Sequence, residues 1–103
     1  MRWYDRLYVG EKAKKHRYEI IQAIREGKGL GYYVLTLSSN GRNLLDLYPA
    51  VTLKQPYYKE QEILIVGVAA DYGDAVRLSG RIVKQVYDKT GGFDISGFLF
   101  GEV

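Results

Sequence analysis

The residues best suited to chemistry are basic ones at the start of a predicted helix. Gly10 ends an aromatic-rich segment, and Lys12, Lys14 and Lys15 follow it closely. Cations at a helix N-terminus oppose the helix dipole, whereas a bound phosphate or carboxylate would be held by the free N–H groups and the lysines together. This pattern predicts an anion-binding loop. The structural alternative is a solvated basic face in which Glu11 offsets part of the charge.

Two acidic residues, Asp71 and Asp74, follow an apolar run at 63–70. In either topology considered below, a strand at 3–9 runs parallel to that apolar run, so residues 10–14 and 70–74 are expected at one end of the sheet, where open α/β sheets bind ligands. The favoured structural alternative makes Asp71 a helix N-cap and Asp74 a first-turn charge. The predicted ligand-binding residues are therefore Gly10, Lys12, Lys14, Lys15, Asp71 and Asp74.

No catalytic or metal-binding set is predicted. His16 is the only histidine, and a general base needs an orienting partner and a nucleophile, neither of which the sequence identifies. The absence of Cys removes a thiolate nucleophile and any cysteine metal site. Whether the protein is an enzyme stays open at this point, and the cofactor, if any, is unknown.

The composition fits one small globular domain spanning residues 1–103, since 47% of the residues are hydrophobic and 26% are charged. No apolar stretch approaches the ~20 residues of a membrane span, and the N-terminus lacks a signal-peptide core. A cytoplasmic protein that does not contact membranes is therefore expected. Residues 1–28 hold eight basic and four acidic residues, a local charge of +4 within a total of +3.

Hydrophobic periodicity predicts alternating strands and helices. The expected elements are a strand at 3–9, a helix at 11–26 stopped by Gly27, strands at 32–37 and 63–70, a helix from Asp71 to Gly91-Gly92, and an alternating strand at 93–100. Gly80 inside the second helix predicts a close approach of another element. Asn40-Gly41 predicts a hairpin into residues 44–48, although a helical turn beginning at Asn43 fits too. Residues 49–61 are expected to be a long connection.

This order predicts an α+β two-layer sandwich with the ferredoxin-like order β-α-β-β-α-β, in which both helices cover one sheet face. The alternative is a small, mostly parallel α/β sheet. Two helices on one face leave the other face uncovered, yet the run at 63–70 is apolar throughout. A second subunit on the open face would resolve that mismatch.

Ten tyrosines among 103 residues suggest a binding surface. Exposed aromatic residues on a ferredoxin-like sheet can stack bases, but the Lys/Arg-Gly-Phe/Tyr motif of RNA-binding sheets is missing from residues 32–37. Tyrosine is also favoured at protein interfaces. A homo-oligomer is therefore the simpler expectation.

Three segments, Tyr4–Gly10, Ile65–Ala69 and Val86–Asp94, resemble those of small bacterial α/β proteins without an assigned function. The resemblance spans most of the chain. It implies a bacterial cytoplasmic protein and supplies no activity or site residues.

Three functions remain in order of preference. The first is a non-catalytic homo-oligomeric module that binds a small anionic ligand or a protein partner. The second is nucleic-acid binding through the basic segment and exposed tyrosines. The third is a small enzyme with a site between subunits, using His16 or the pair Asp71 and Asp74.

Overall fold

The computed structural model describes residues 2–37, 45–56 and 63–101. These residues form a four-stranded sheet with helices packed against it. The elements are β1 (Arg2–Val9), α1 (Arg17–Arg25), β2 (Tyr33–Leu37), β3 (Leu45–Pro49), β4 (Leu64–Ala69), α2 (Tyr72–Thr90) and α3 (Ile95–Leu99), with 3-10 turns at Lys14–His16 and Ala50–Lys54. No helix of the described residues is long and apolar enough to cross a membrane.

The strand order in the sheet is β1-β4-β2-β3. β1 runs parallel to β4, while β2 is antiparallel to both of its neighbours. β2 and β3 pair from Leu37↔Leu45 to Tyr33↔Pro49, as a hairpin requires. The predicted hairpin strands are therefore confirmed, and the Asn40-Gly41 turn and Asn43 lie outside the described residues.

The two long helices lie on opposite faces of the sheet. Ile20 and Ile24 of α1 pack in a buried cluster with Val34, Ile65 and Val68. A second cluster unites α2 with the other side of the same strands, and its buried members are Leu35, Val66, Ala69, Ala75, Leu78, Ile82, Val86, Ile95 and Leu99. The continuous apolar run of β4 is thus explained within one chain, because each of its faces has its own helix. A second subunit is therefore not needed to cover an open face of β4.

The α+β class with a four-stranded sheet is confirmed, but the ferredoxin-like arrangement is wrong. The helices do not share one face, and the last element is a helix instead of a strand. The mostly parallel alternative is wrong too, since one of the three strand pairs is parallel.

The predicted strand at 93–100 is the helix α3 because two signals in it fit a helix better. The Asp94 carboxylate caps the helix by accepting a hydrogen bond from the Gly97 N–H at 3.0 Å. Ile95 and Leu99 are buried one turn apart, and Phe98 packs beside them. A segment of eight residues is short enough to satisfy a strand and a helix pattern at once.

The predicted ends of the helices are confirmed where they depend on caps. Asp71 accepts a hydrogen bond from the Asp74 N–H at 2.8 Å and begins α2. Gly91 ends α2 at φ 75°, and Gly27 follows α1 at φ 73°. Both angles lie in the left-handed region, where glycine has no steric penalty. The first helix starts later than predicted, because the chain makes 3-10 bonds up to His16 before α1 begins.

The close approach predicted at Gly80 is wrong, because a Cβ built there meets no atom within 4 Å. We predict that Gly80→Ala raises the free energy of unfolding by about 1 kcal/mol, since alanine loses less backbone entropy in a helix. Urea denaturation would measure this change. Gly91→Ala is the control and should lower stability, because residue 91 has a positive φ. A destabilised Gly80→Ala variant would contradict the prediction.

Candidate functional site

The two predicted loops meet at one end of the parallel pair β1 and β4. The Gly10 N–H donates a hydrogen bond to the Val68 carbonyl at 2.9 Å. The Lys12 N–H reaches the Asp74 carboxylate at 3.3 Å. Parallel strands carry their following loops at the same sheet edge, so the expected proximity of residues 10–14 to residues 70–74 is confirmed.

Asp74 joins the two loops through a buried carboxylate. The residue is 1% exposed, and its Oδ2 accepts a hydrogen bond from the Ala70 N–H at 3.0 Å while Oδ1 accepts that of Lys12. The Arg77 guanidinium lies 4.0 Å from Oδ1. A Cβ at Gly10 would overlap the carboxylate of Asp74, so only glycine leaves room for it. Asp74 therefore holds the backbone of both loops together.

Asp71 combines its capping role with an ion pair. One carboxylate oxygen caps α2, and the other lies 3.2 Å from the Lys12 ammonium. The hydrogen bond from the Asp74 N–H, followed by the one from Lys12, lowers the pKa of the Asp71 carboxyl below its usual value. The charge of Lys12 is thus matched by a carboxylate of the neighbouring loop.

Glu11 pairs with two cations in the same region. Its Oε1 lies 2.9 Å from the Lys14 ammonium and 2.8 Å from the Arg81 guanidinium, which also donates to the Val9 carbonyl. The hydrogen bond from Lys14 is the largest reason why the pKa of Glu11 is lowered. Lys15 is exposed and has no ion-pair partner among the described residues.

Of the six predicted ligand-binding residues, Gly10, Lys12, Asp71 and Asp74 lie together, Lys14 pairs with Glu11, and Lys15 makes no ion pair among the described residues. Within residues 2–37, 45–56 and 63–101 no three His, Asp or Glu side chains gather as metal ligands would. The His16 side chain is 62% exposed, and its Nδ1 lies 3.7 Å from Glu19. Most charges at this end of the sheet are neutralised by one another, which leaves little unsatisfied charge for a ligand.

A groove of about 810 Å³ lies elsewhere, between β1 and α3. Its volume is within the range of small-molecule sites. We call it the β1 groove, and its lining includes Arg2, Tyr4, Arg6, Tyr8, Gln85 and Phe100. None of the six residues predicted from the sequence lines it.

An irregular stretch of β1 shapes this groove. Trp3 pairs with Ile65 and Tyr8 with Gly67, so residues 4–7 of β1 stand opposite the single residue between those partners. Residues four apart in a regular strand are about 13 Å apart. The rings of Tyr4 and Tyr8 are nevertheless parallel within 8°, with centroids 6.5 Å apart. The bulge therefore gathers two aromatic rings on one wall.

Both tyrosine rings are fixed by their hydroxyl groups. The Tyr4 hydroxyl donates to the Leu99 carbonyl at 2.8 Å, and the Tyr8 hydroxyl donates to Gln85 Oε1 at 2.9 Å. Burial is the main cause that raises the pKa of Tyr8, and Tyr4 adds to it. The Phe100 ring meets Tyr4 edge-on at 6.3 Å and stays 51% exposed. The groove thus has an aromatic wall that two hydrogen bonds hold in place, with the exposed Phe100 ring beside it.

The charges of the β1 groove favour an anion. Arg2 and Arg6 line it, are exposed, and have no ion-pair partner among the residues that the structure describes. Asp5 also lines the groove and is likewise unpaired in the described part of the chain. Two guanidinium groups against one carboxylate leave a positive balance.

The sequence contained a signal for this groove, although the predicted ligand-binding residues do not include it. Arg2, Tyr4, Arg6 and Tyr8 alternate along β1, a pattern that would place them on one face of a regular strand. Asp5 also lines the groove, within the irregular stretch of β1. The sequence pattern does not indicate the second wall of the groove, because it predicts a strand at residues 93–100 where the structure has α3. Without α3, the alternating residues of β1 would not form a groove.

No protein-family model, curated protein or solved structure matches the chain. The resemblance to small bacterial α/β proteins therefore stays a prediction.

We predict that Gly10→Ala lowers the free energy of unfolding by about 1–3 kcal/mol, because the new methyl group overlaps the Asp74 carboxylate. Chemical denaturation of the variant would measure the loss. In an Asp74→Ala background the same substitution should cost much less, since the overlapping oxygens are gone. Gly92→Ala is the control, because its Cβ meets no atom nearer than the Thr90 hydroxyl oxygen at 4.0 Å. Additive losses in the double variant would contradict the overlap.

Asp71 should make the stability of the protein depend on pH. Its pKa is lowered in the folded protein, so the ionised form stabilises the fold above the unfolded-state pKa of roughly 4 and loses this effect as the pH falls through the folded-state pKa. Asp71→Ala should therefore be clearly less stable than the original protein at neutral pH. The difference should shrink below about pH 4, as urea unfolding at several pH values would measure.

Asp71→Asn is the matched variant for this prediction. Asparagine keeps an oxygen that can cap α2 but carries no charge for Lys12. Its stability should lie between those of the original protein and Asp71→Ala at neutral pH. If the stability difference between the original protein and Asp71→Ala stayed constant down to acidic pH, the role of the ionised carboxylate would be contradicted.

Proposed function

We propose that this protein is a non-catalytic binding module that holds a small anionic ligand in the β1 groove. The observation that carries the proposal is the presence of Arg2 and Arg6 on this groove without an ion-pair partner among the described residues. Guanidinium groups bind phosphates and carboxylates with two parallel hydrogen bonds. An anion bound in the groove would therefore meet guanidinium groups that have no other ion-pair partner among the described residues.

The loops at residues 10–14 and 70–74 are less suited to bind an anion than the β1 groove is. Lys12, Lys14 and Arg81 each have a carboxylate oxygen within 3.2 Å, so an incoming anion would have to displace Asp71 or Glu11. Moving the Asp71 side chain would also disturb the hydrogen bond by which it caps α2. The β1 groove demands no such exchange, which favours it over the predicted loop site.

The non-catalytic part of the proposal is supported by the position of the titratable groups. His16 and Asp71, the groups considered for catalysis, do not line the β1 groove, and Asp74 uses its carboxylate oxygens to bind backbone N–H groups. Asp5 is the acidic residue on the groove. A lone carboxylate among cations and aromatic rings suits ligand selection better than paired acid–base chemistry.

The predicted homo-oligomer and nucleic-acid binding remain predictions. The oligomer no longer has the support of an open sheet face, since α1 and α2 cover both faces. The sedimentation coefficient of the purified protein would test it. Nucleic-acid binding keeps only the indirect support of cations and aromatic rings in one groove.

The test compares two variants with equal loss of charge. Arg6→Gln removes one guanidinium from the β1 groove, whereas Lys15→Gln removes an exposed unpaired cation of the predicted loop site within the described part of the chain. Isothermal titration with pyrophosphate at low salt should give about 10- to 100-fold weaker binding for Arg6→Gln, since a hydrogen bond to a charged group contributes about 1.5–3 kcal/mol. Lys15→Gln should change little, and Asp5→Asn should strengthen binding.

The outcomes separate the two sites. Weakening by Lys15→Gln alone would place the anion at the loop that follows β1 and overturn the groove. Equal, small effects of both variants would indicate nonspecific attraction to the positive chain, which added salt would remove, and would also overturn it. Backbone amide shifts in NMR spectra should change in β1 and α3 when pyrophosphate is added to the original protein.

A further inference from the structure

The β1 groove has an aromatic wall, which the recognition of an anion alone does not require. Phosphate recognition is satisfied by Arg2 and Arg6, yet the groove also holds Tyr4, Tyr8 and Phe100. Aromatic faces bind flat rings by stacking. Phe100 is 51% exposed, whereas the other aromatic residues that line the groove are half-buried.

The rings of Tyr4 and Tyr8 are held in place in the absence of a ligand. Tyr4 and Tyr8 hold parallel planes, and their hydroxyl groups are hydrogen-bonded to Leu99 and Gln85. A ligand ring that meets fixed side chains loses less free energy in ordering them. The pair would serve as a rigid support for Phe100, which contacts Tyr4 at its edge.

Gln85 adds a polar group on the same groove. Its Oε1 accepts the hydrogen bond from Tyr8, so its amide N–H groups remain as donors. A heteroaromatic ring carries nitrogen or carbonyl acceptors at its edge. The groove therefore combines a flat apolar surface, amide donors and two guanidinium groups in about 810 Å³.

We propose that the ligand of the β1 groove is a nucleoside phosphate, with its base against the aromatic wall and its phosphate at Arg2 and Arg6. This inference rests on the proposed function, because it assumes that an anion binds here. It goes further by assigning a second recognition element, the ring, to Phe100.

The experiment separates the ring from the phosphate. The four ribonucleoside 5′-monophosphates are compared with ribose 5-phosphate, which carries the anion without a base, by isothermal titration at low salt. At least one nucleotide should bind about tenfold more tightly than ribose 5-phosphate, since stacking of one base has an effect of that order. The gain should show as chemical-shift changes at Phe100 and Gln85.

Two variants assign each part of the ligand to its residue. Phe100→Leu should reduce nucleotide affinity to nearly that of ribose 5-phosphate and leave ribose 5-phosphate binding unchanged. Arg6→Gln should weaken both ligands by a similar factor. Phe93→Leu is the matched control, because Phe93 is also a half-exposed ring but stacks on Tyr87 outside the groove.

The failures of the two proposals are distinguishable. Equal binding of nucleotides and ribose 5-phosphate, weakened by Arg6→Gln, would refute the nucleoside phosphate and keep the anion groove. Absence of binding by pyrophosphate and all these phosphates would refute both. Tight binding of a single-stranded oligonucleotide, with no binding of mononucleotides, would replace the small ligand by a nucleic-acid strand.

Discussion

β4 must be covered on both of its faces, and the arrangement of the other elements depends on that constraint. Ile65 and Val68 face one buried cluster, while Val66 and Ala69 face the other, and all four are 0% exposed. Burial of a Val or Ile side chain contributes roughly 1.5–3 kcal/mol. An uncovered face would therefore forfeit several kcal/mol, a large part of the roughly 5–15 kcal/mol that usually stabilises a domain. The chain meets this demand by placing α1 and α2 on opposite faces.

The parallel pairing of β1 with β4 has a second consequence, because it brings two loops into contact. A buried carboxylate is costly unless its oxygens are hydrogen-bonded, and Asp74 meets that requirement with the backbone of Ala70 and Lys12. The side chain of Lys12 then pairs with Asp71, which also caps α2. The residues that the sequence predicts to bind a ligand therefore stabilise this end of the sheet. A ligand bound at this end of the sheet would compete for the charged side chains that stabilise the fold.

The sequence predicted the features that depend on local signals. The buried strand β4, the capped helix α2 and the hairpin strands β2 and β3 each follow from residue types within their own segments. The proximity of the loops at 10 and 70 followed from strand direction. The distribution of helices over the two faces was not predictable in this way, because periodicity reports that a face is apolar and not which helix covers it.

The β1 groove depends on two features that the residue types of a single segment do not predict. One is the insertion of residues 4–7 opposite a single position of β4, which shifts register within a strand whose composition looks regular. The other is α3, whose eight-residue segment also satisfies the alternation of a strand. Both must be present before Arg2, Tyr4, Arg6 and Tyr8 become the wall of a groove. In the sequence alone, these residues therefore form an alternation that no predicted element explains.

The same charged residues also suit another role, since β1 is an edge strand of the sheet. Charges and bulges on edge strands prevent pairing with other chains, and Arg2, Asp5 and Arg6 would serve in that way. That role needs no aromatic wall, however, and would not require the hydroxyl groups of Tyr4 and Tyr8 to be bonded. The edge role explains the charges on β1, whereas a binding role also explains the fixed rings beside them. Rings that are already ordered would lower the cost of binding a ligand, so protection of the edge and the proposed binding role are compatible in one groove.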